Sequence, residues 1–286
     1  MSPIYLALAS ILGVPGVKFH LRCVAIGARL LLTGRASMGS WTRYLFFPMD
    51  STRYFEFDEV WNRVKKIPFT SYLDVSSPRL LPLLVMRSKP KATVMLVNPD
   101  VADLKETMSL ARALDLESRC TFFNGVLDAV EDTTPSFDLI TCISVLEHIP
   151  EDKAAIERMW SLLRPGGKLI LTLPCMSHPL EQRISHNQYG VLASGDDGYT
   201  FWQRYYDQVR LQTSIYSVTG VPCYAAVYGE KVNGLFFRNT SMKRLLGFLY
   251  PFWREPYMMA TEYQYYSNTD ELPGEGVIML EFLKGQ

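Results

Sequence analysis

The chain has 286 residues, of which 48% are hydrophobic, and its 29 basic side chains balance its 29 acidic side chains. This composition supports a folded core and excludes a disordered polymer. Zero net charge argues against a nucleic-acid-binding protein, because phosphate contacts require a basic excess. No run of about 18 apolar residues occurs, so the sequence predicts no membrane-spanning helix.

The five cysteines are far apart and form neither a CxxC pair nor a cluster with histidine. This spacing predicts that the protein has no metal site. An odd and unpatterned set of thiols is typical of a reduced compartment, so we expect a cytoplasmic protein.

Residues 1–57 are predicted to form a helical and aromatic extension, because two apolar segments precede an aromatic-rich connector at residues 44–57. The first fifty residues contain five basic side chains and one acidic side chain. This bias fits contact with a membrane surface, a transit peptide, or a pair of helices packed on the domain. The aromatic density favours the packed helices and leaves peripheral membrane contact open.

Between residues 58 and 175, strand-like segments alternate with helix-like segments. This alternation predicts a parallel sheet with helices on both faces, and the continuously apolar strands fit a sheet that is covered on both sides. Ligands bind such sheets beyond the carboxyl ends of the strands. The predicted strands are residues 71–75, 93–97, 120–123, 137–142 and 168–173.

Two further strands are predicted at residues 222–228 and 276–283, and we expect them to pair antiparallel at the edge of the sheet. Residues 235–272 between them are rich in aromatic side chains and are predicted to be an insertion. Residues 179–206 combine glycines with aromatics and show no regular period. This pattern favours a mobile lid that covers a bound substrate.

One long segment carries a family resemblance. Residues 137–174, FDLITCISVLEHIPEDKAAIERMWSLLRPGGKLILTLP, resemble the second half of the class I S-adenosylmethionine-dependent methyltransferase domain, in its type 11-like form. The resemblance implies a doubly wound, mostly parallel, seven-stranded α/β sheet for residues 58–286. It also implies an enzyme that transfers a methyl group from the cofactor S-adenosylmethionine to an acceptor.

The glycine-rich cofactor motif of that family is degenerate here. Its acidic residue is present as Asp74, but Ser76 and Ser77 replace the glycines, which in the family let the backbone approach the ligand closely. The resemblance places the other cofactor contacts after the second, third and fourth strands, at Asn98, Asp100, Gly125, Val126 and Ser144.

These departures leave two hypotheses open. In the first, the protein still binds S-adenosylmethionine through altered contacts and methylates a small-molecule or glycan acceptor. In the second, the fold is retained while the cofactor site is lost, and the protein acts as a non-catalytic binding or scaffold protein.

Methyl transfer requires alignment of a nucleophile with the methyl group and, for some acceptors, a base that removes a proton. His148 follows the fourth strand at the binding edge and is predicted to be that base, with a capping or packing role as the alternative. The predicted substrate contacts are His186, Tyr199, Trp202, Arg204 and Tyr205. The alternative is that these side chains only seal an open edge of the domain.

Overall fold

A computed structural model describes residues 3–130, 136–185, 198–251 and 254–285. Ten strands lie in these ranges: β1 Ser71–Val75, β2 Thr93–Val97, β3 Cys120–Phe123, β4 Phe137–Ile143, β5 Leu163–Cys175, β6 Leu180–Ile184, β7 Thr200–Tyr205, β8 Tyr224–Glu230, β9 Tyr263–Tyr266 and β10 Gly276–Leu283. Eight of them form one sheet in the order β3-β2-β1-β4-β5-β10-β8-β9, and β6 and β7 form a separate antiparallel pair.

The first half of the sheet is parallel. Strand β1 pairs with β2 on one side and with β4 on the other, and the flanking β3 and β5 are also parallel to their neighbours. The strand order therefore reverses between β1 and β4, which is the place where open α/β sheets bind ligands. All five strands predicted for this half are present, three of them with the predicted bounds.

The second half of the sheet is antiparallel. Strand β10 lies between β5 and β8 and runs antiparallel to both, so the two late strands pair as predicted. Strand β9 then adds an eighth strand next to β8, where the sequence predicted seven. Its four residues, YQYY, lie inside the predicted insertion, and they lack the aliphatic run by which the other strands are recognised.

Helices cover both faces of the sheet, which confirms the doubly wound α/β class. Their bounds are α1 Pro3–Ile11, α2 Val17–Thr33, α3 Met38–Phe46, α4 Arg53–Val64, α5 Leu80–Ser88, α6 Val101–Ala113, α7 Asp152–Leu162, α8 Gln208–Arg210, α9 Ser217–Thr219, α10 Leu235–Leu246 and α11 Arg254–Thr261. A π-helical segment, Leu211–Tyr216, joins α8 to α9.

Neighbouring strand residues point to opposite faces and enter two separate cores. Tyr72 of β1 packs in a core shared with α2, α4, α5 and α6. Leu73, the next residue, packs in a second core with α7 and the π-helical segment. The sheet is therefore buried on both sides, as its continuously apolar strands indicate.

The predicted end of the N-terminal extension, at residue 57, falls inside helix α4. The aromatic segment that was expected to be a connector instead forms the end of α3 and the first half of α4. Phe57 is fully buried and stacks on Phe19 of α2, with 5.2 Å between ring centroids. Closely spaced aromatics obscure the 3.6-residue periodicity of a helix, so the sequence pattern did not predict this helix.

The predicted insertion, residues 235–272, contains α10, α11 and β9. Met258, Met259 and Tyr263 are buried in the same core as α4, so this segment is part of the domain. Among the described helices, none is both long enough and apolar enough to cross a membrane. The described ranges also hold no cluster of His, Cys, Asp and Glu that would bind a metal ion.

Candidate active site

A cavity of about 420 Å³ opens at the carboxyl ends of β4 and β5. Its walls come from the start of α4, the loop after β4, strand β7, and the residues around the start of β10. The lining side chains that carry polar or aromatic groups are Asp50, Ser51, Thr52, Arg53, Glu56, Ser144, Glu147, His148, Trp202, Gln203, Tyr205, Phe236 and Glu275. A cavity of this volume is large enough for a small molecule or a single sugar unit.

Two serines that line the cavity, Ser51 with φ of 48° and Ser144, and a third in the turn after β1, Ser76, have a left-handed backbone. Ser76 follows β1 with φ of 52°, and Ser144 follows β4 with φ of 50°. Residues other than glycine seldom adopt this conformation, and they do so most often at functional sites. Ser76 is held there because its N–H and hydroxyl both donate to the carbonyl oxygen of Val97, at 2.9 and 3.0 Å. The turn after β1 therefore keeps a left-handed residue, although serine stands there in place of the family's glycine.

Asp74 is the buried centre of a hydrogen-bond network that joins β1 to β4. Its carboxylate accepts from the hydroxyls of Tyr72, at 2.9 Å, and Thr141, at 2.7 Å, and from the backbone N–H of Ser77, at 3.0 Å. The Ser77 hydroxyl accepts in turn from the N–H of Ile143 at 3.1 Å. Burial raises the pKa of Asp74 to about 6. These contacts fix the turn after β1 against the end of β4.

The predicted residues after β2 bind one another. The Asn98 amide donates to Asp103 at 2.9 Å and accepts from the N–H of Asp100 at 2.9 Å. Asp100 caps helix α6, because its carboxylate accepts from the N–H of Asp103 at 3.1 Å. Arg79, from the turn after β1, forms ion pairs with Asp103 and Glu106. The sequence analysis did not identify Asp103, whose carboxylate accepts a hydrogen bond from the side chain of Asn98.

The predicted residues after β3 lie beside this group. The N–H of Gly125 donates to the carbonyl oxygen of Asn98 at 3.3 Å. A Cβ atom at Gly125 would lie 2.7 Å from the ring of Phe123, so a side chain there would require that ring to shift. Val126 is 43% exposed and faces solvent.

Glu56 and Arg53 of α4 are site residues that sequence reasoning did not identify. Glu56 is 1% exposed, and its carboxylate accepts from the hydroxyls of Ser144 and of Thr172, the latter at 2.7 Å. Arg53 lies 3.6 Å from Glu56, and its buried NH1 atom has no hydrogen-bond partner among the described residues. Helix α4 therefore brings a carboxylate and a guanidinium to the cavity, from a segment that appeared to be a connector.

A hydrogen bond of His148 determines which of its two ring nitrogens carries the proton and which is basic. Its Nδ1 atom lies 2.7 Å from the carbonyl oxygen of Trp202, and a carbonyl can only accept, so Nδ1 carries the proton. Burial lowers the pKa of His148 below its usual range, so the ring is neutral at pH 7. The deprotonated Nε2 atom lies 3.9 Å from Glu147. The structure therefore provides a neutral imidazole with an accepting Nε2 at the cavity.

Glu147, next to His148 in the loop after β4, lies in the cavity wall. It is 3% exposed, and burial raises the pKa of its carboxyl group to about 8. Its Oε2 atom is buried without a hydrogen-bond partner in the described part of the chain. A carboxyl group in this state is largely protonated at neutral pH and can donate a hydrogen bond.

The predicted substrate residues separate into different environments. Trp202 and Tyr205 line the cavity, whereas Tyr199 is 48% exposed and is not part of its wall. His186 lies outside the described residues. The predicted lid, residues 179–206, is in its described parts the β6–β7 pair and its flanking residues.

Arg204 was predicted to contact the substrate, but its side chain is buried and binds other residues of the protein. The side chain is 3% exposed and donates to the carbonyl oxygens of Ile149, at 3.1 Å, and Pro150, at 2.9 Å. It also lies 3.0 Å from the carboxylate of Asp152. All these contacts attach β7 to the loop after β4, and a sequence pattern does not distinguish such an arginine from a ligand-binding one.

Part of this domain is similar to known proteins. Residues 83–208 match the sequence profile of a family described as a methyltransferase domain. The ubiquinone biosynthesis O-methyltransferase of Xanthomonas oryzae pv. oryzae (strain PXO99A) is 32% identical over 119 residues, which cover 39% of this chain and 49% of that relative. The chain thus spans about half the length of the curated relatives that it matches.

Two solved structures share the fold at a TM-score of 0.50. One, from Galdieria sulphuraria, is assigned as a sarcosine dimethylglycine methyltransferase; it is 11% identical, with 80% of this chain and 84% of that chain covered. The other is the MccD protein, which is 8% identical, with 79% of this chain and 95% of that chain covered. Residues 83–208 therefore match a methyltransferase domain, and the two structures show that the chain shares the class I methyltransferase-like fold.

Proposed function

We propose that this protein transfers the methyl group of S-adenosylmethionine to a hydroxyl oxygen of an acceptor bound in the 420 Å³ cavity. The observation that carries the proposal is the neutral His148 ring, which donates its Nδ1 proton to the Trp202 carbonyl and has Nε2 as its basic nitrogen. The O-methyltransferase relatives support oxygen as the methylated atom.

The residues at the reversal point fit the cofactor. The turn after β1 retains a left-handed residue at Ser76, and Asn98 and Asp103 place polar groups for ribose hydroxyls after β2. Arg53 offers a buried NH1 atom that lacks a hydrogen-bond partner in the described ranges, which suits the carboxylate of the cofactor. When bound, S-adenosylmethionine would supply an electrophilic methyl group on its sulfonium.

The acceptor side requires a base, because a hydroxyl group keeps its proton at neutral pH. His148 Nε2 takes that proton as the oxygen is methylated, and the Trp202 carbonyl stabilises the imidazolium through Nδ1. Trp202 and Tyr205 supply an aromatic wall against which a ring or a sugar face can pack. We therefore expect a small-molecule or glycan acceptor with an exposed hydroxyl group.

The cofactor arm of the test is calorimetric titration with S-adenosylmethionine and S-adenosylhomocysteine. The unaltered protein should bind both at micromolar concentration, and Arg53→Ala should weaken binding about 10- to 100-fold, since a charged hydrogen bond is lost. Arg112→Ala, which removes an exposed arginine that pairs with Glu117, is the matched control and should bind as the unaltered protein does. No binding at millimolar ligand by a folded protein would overturn the proposal and favour a scaffold protein.

The acceptor arm uses methyl transfer from labelled S-adenosylmethionine to a panel of phenols, catechols and sugars. His148→Gln should retain cofactor binding and lose about 10²- to 10⁴-fold in turnover, the usual contribution of a general base. Equal turnover by His148→Gln and the unaltered protein would exclude His148 as the base.

A further inference from the structure

The outer face of helix α1 is apolar and uncovered in the described structure. Ile4, Leu8, Ile11 and Leu12 are 73%, 55%, 81% and 80% exposed, and they recur at spacings that place them on one side of the helix. The other side, through Leu6 and Ala9, packs against Val17. A helix that is apolar on both sides and lies on a protein surface has a second apolar partner.

A row of cations lies beside this face. Lys18, Arg22 and Arg29 of α2 are exposed and recur after four and seven residues, so they share one side of that helix. Leu21 and Val24, which neighbour them on α2, pack against the inner side of α1. No acidic residue precedes Asp50 in the sequence. Asp115 forms ion pairs with Arg29 and Arg35, at 3.7 and 2.9 Å. The N-terminal surface therefore combines an apolar ridge with flanks that hold more basic than acidic side chains.

We propose that this surface binds an anionic phospholipid bilayer. The ridge of α1 enters the interface between head groups and acyl chains, and the α2 cations bind the phosphate groups beside it. Charge complementarity selects the lipid surface over other apolar partners, because a second copy of this chain would bring a second set of cations. The proposal does not depend on methyl transfer.

The bilayer-facing unit is attached directly to the rim of the cavity. Gly16, between α1 and α2, lies so close to the backbone of Tyr54 that a side chain at Gly16 would overlap it. His20 of α2 also lies within hydrogen-bond distance, 3.0 Å, of the Tyr54 hydroxyl. Arg53, the residue before Tyr54, lines the cavity. Lipid contact at α1 would therefore anchor the α4 turn that forms part of the cavity rim.

Vesicle flotation of the full chain tests the proposal, with phosphatidylcholine vesicles compared to vesicles that contain about 30 mol % phosphatidylglycerol. The unaltered protein should float with the anionic vesicles and dissociate at high salt. The double variant Ile11→Glu/Leu12→Glu should lose flotation. Val221→Glu, at a residue that is 85% exposed and lies outside the N-terminal helices, is the matched control and should float normally.

A second variant separates charge from apolar contact. Lys18→Gln/Arg22→Gln should weaken partitioning to anionic vesicles about fivefold for each cation removed. Circular dichroism of each variant establishes that it is folded. Failure of the unaltered protein to float, or equal flotation of the Ile11→Glu/Leu12→Glu variant, would overturn the proposal. So would a dimer in light scattering that this double variant converts to a monomer without any lipid binding.

Discussion

Asp74, the acidic residue of the degenerate cofactor motif, is a buried structural group whose protonation depends on pH. Its carboxylate has two hydroxyl donors and one backbone donor, yet the loss of water dominates and raises its pKa to about 6. An acid whose pKa is higher in the folded state than in the unfolded state binds its proton more tightly when folded. The folded state is therefore stabilised relatively at low pH and loses that contribution as the carboxyl ionises.

We predict that Asp74 removes about 2 to 3 kcal/mol of unfolding free energy as the pH rises from about 4 to about 6. Asp74→Asn should abolish this part of the pH dependence, because the amide does not titrate. Urea unfolding at a series of pH values measures the slope. Glu147→Gln should instead flatten the slope at higher pH, since the pKa of Glu147 is raised to about 8. Identical slopes for Asp74→Asn and the unaltered protein would contradict the prediction.

Single residues were predictable from the sequence where a strand end fixed their position. Asp74 lies near the end of β1, Ser144 and His148 follow β4, and the strand-helix alternation locates those strand ends. Arg53 and Glu56 were not predictable, because Glu56 meets Ser144 across 88 residues of sequence and no local pattern records that contact. Arg204 is the opposite case, because its sequence position suggested a substrate contact. Only the folded structure shows that its side chain is buried and binds Ile149, Pro150 and Asp152.

Among the elements, helix α4 has the largest influence on the site, and its position depends on one glycine. Gly16 has φ of 73° and approaches the backbone of Tyr54, so both its conformation and its lack of a side chain are required. The parallel strands, by contrast, were predictable because each is a continuous apolar run with clear ends. Strand β9 and helix α4 were not, since aromatic side chains fit a strand, a helix or a packed loop equally well.

We predict that Gly16→Ala lowers the unfolding free energy by at least about 2 kcal/mol, through left-handed strain and overlap with backbone atoms that cannot move aside. Gly39→Ala is the matched control, because Gly39 lies in α3 with open space around its Cα and an ordinary φ. That variant should be neutral or slightly stabilising, given the higher helix propensity of alanine. Thermal and urea unfolding of both proteins compare them, and an equal loss of stability in the two variants would be inconsistent with this packing.

At the scale of the whole molecule, the N-terminal helices and the sheet share one core. Phe19 of α2, Phe57 of α4, Tyr72 of β1 and Met258 of α11 belong to the same buried cluster. Helix α1 differs, since its buried residues Leu6 and Ala9 form a small separate cluster with Val17. The sequence predicted an extension beside a domain because charge and aromatic content change near residue 57, but composition does not report which surfaces are buried together.

This arrangement predicts different results for two truncations. Removal of residues 1–57 cuts α4 in half and uncovers one face of the sheet, so the product should lose its near-ultraviolet circular dichroism and its cooperative unfolding. Removal of residues 1–15 takes away α1 alone and should leave a folded protein with a single unfolding transition, because the main core is unchanged. A folded, cooperative protein after removal of residues 1–57 would mean that the extension is a separate unit. The structure argues otherwise, since α4 is buried on more than one side: Phe55 stacks on Tyr228 of β8 and Phe57 stacks on Phe19 of α2.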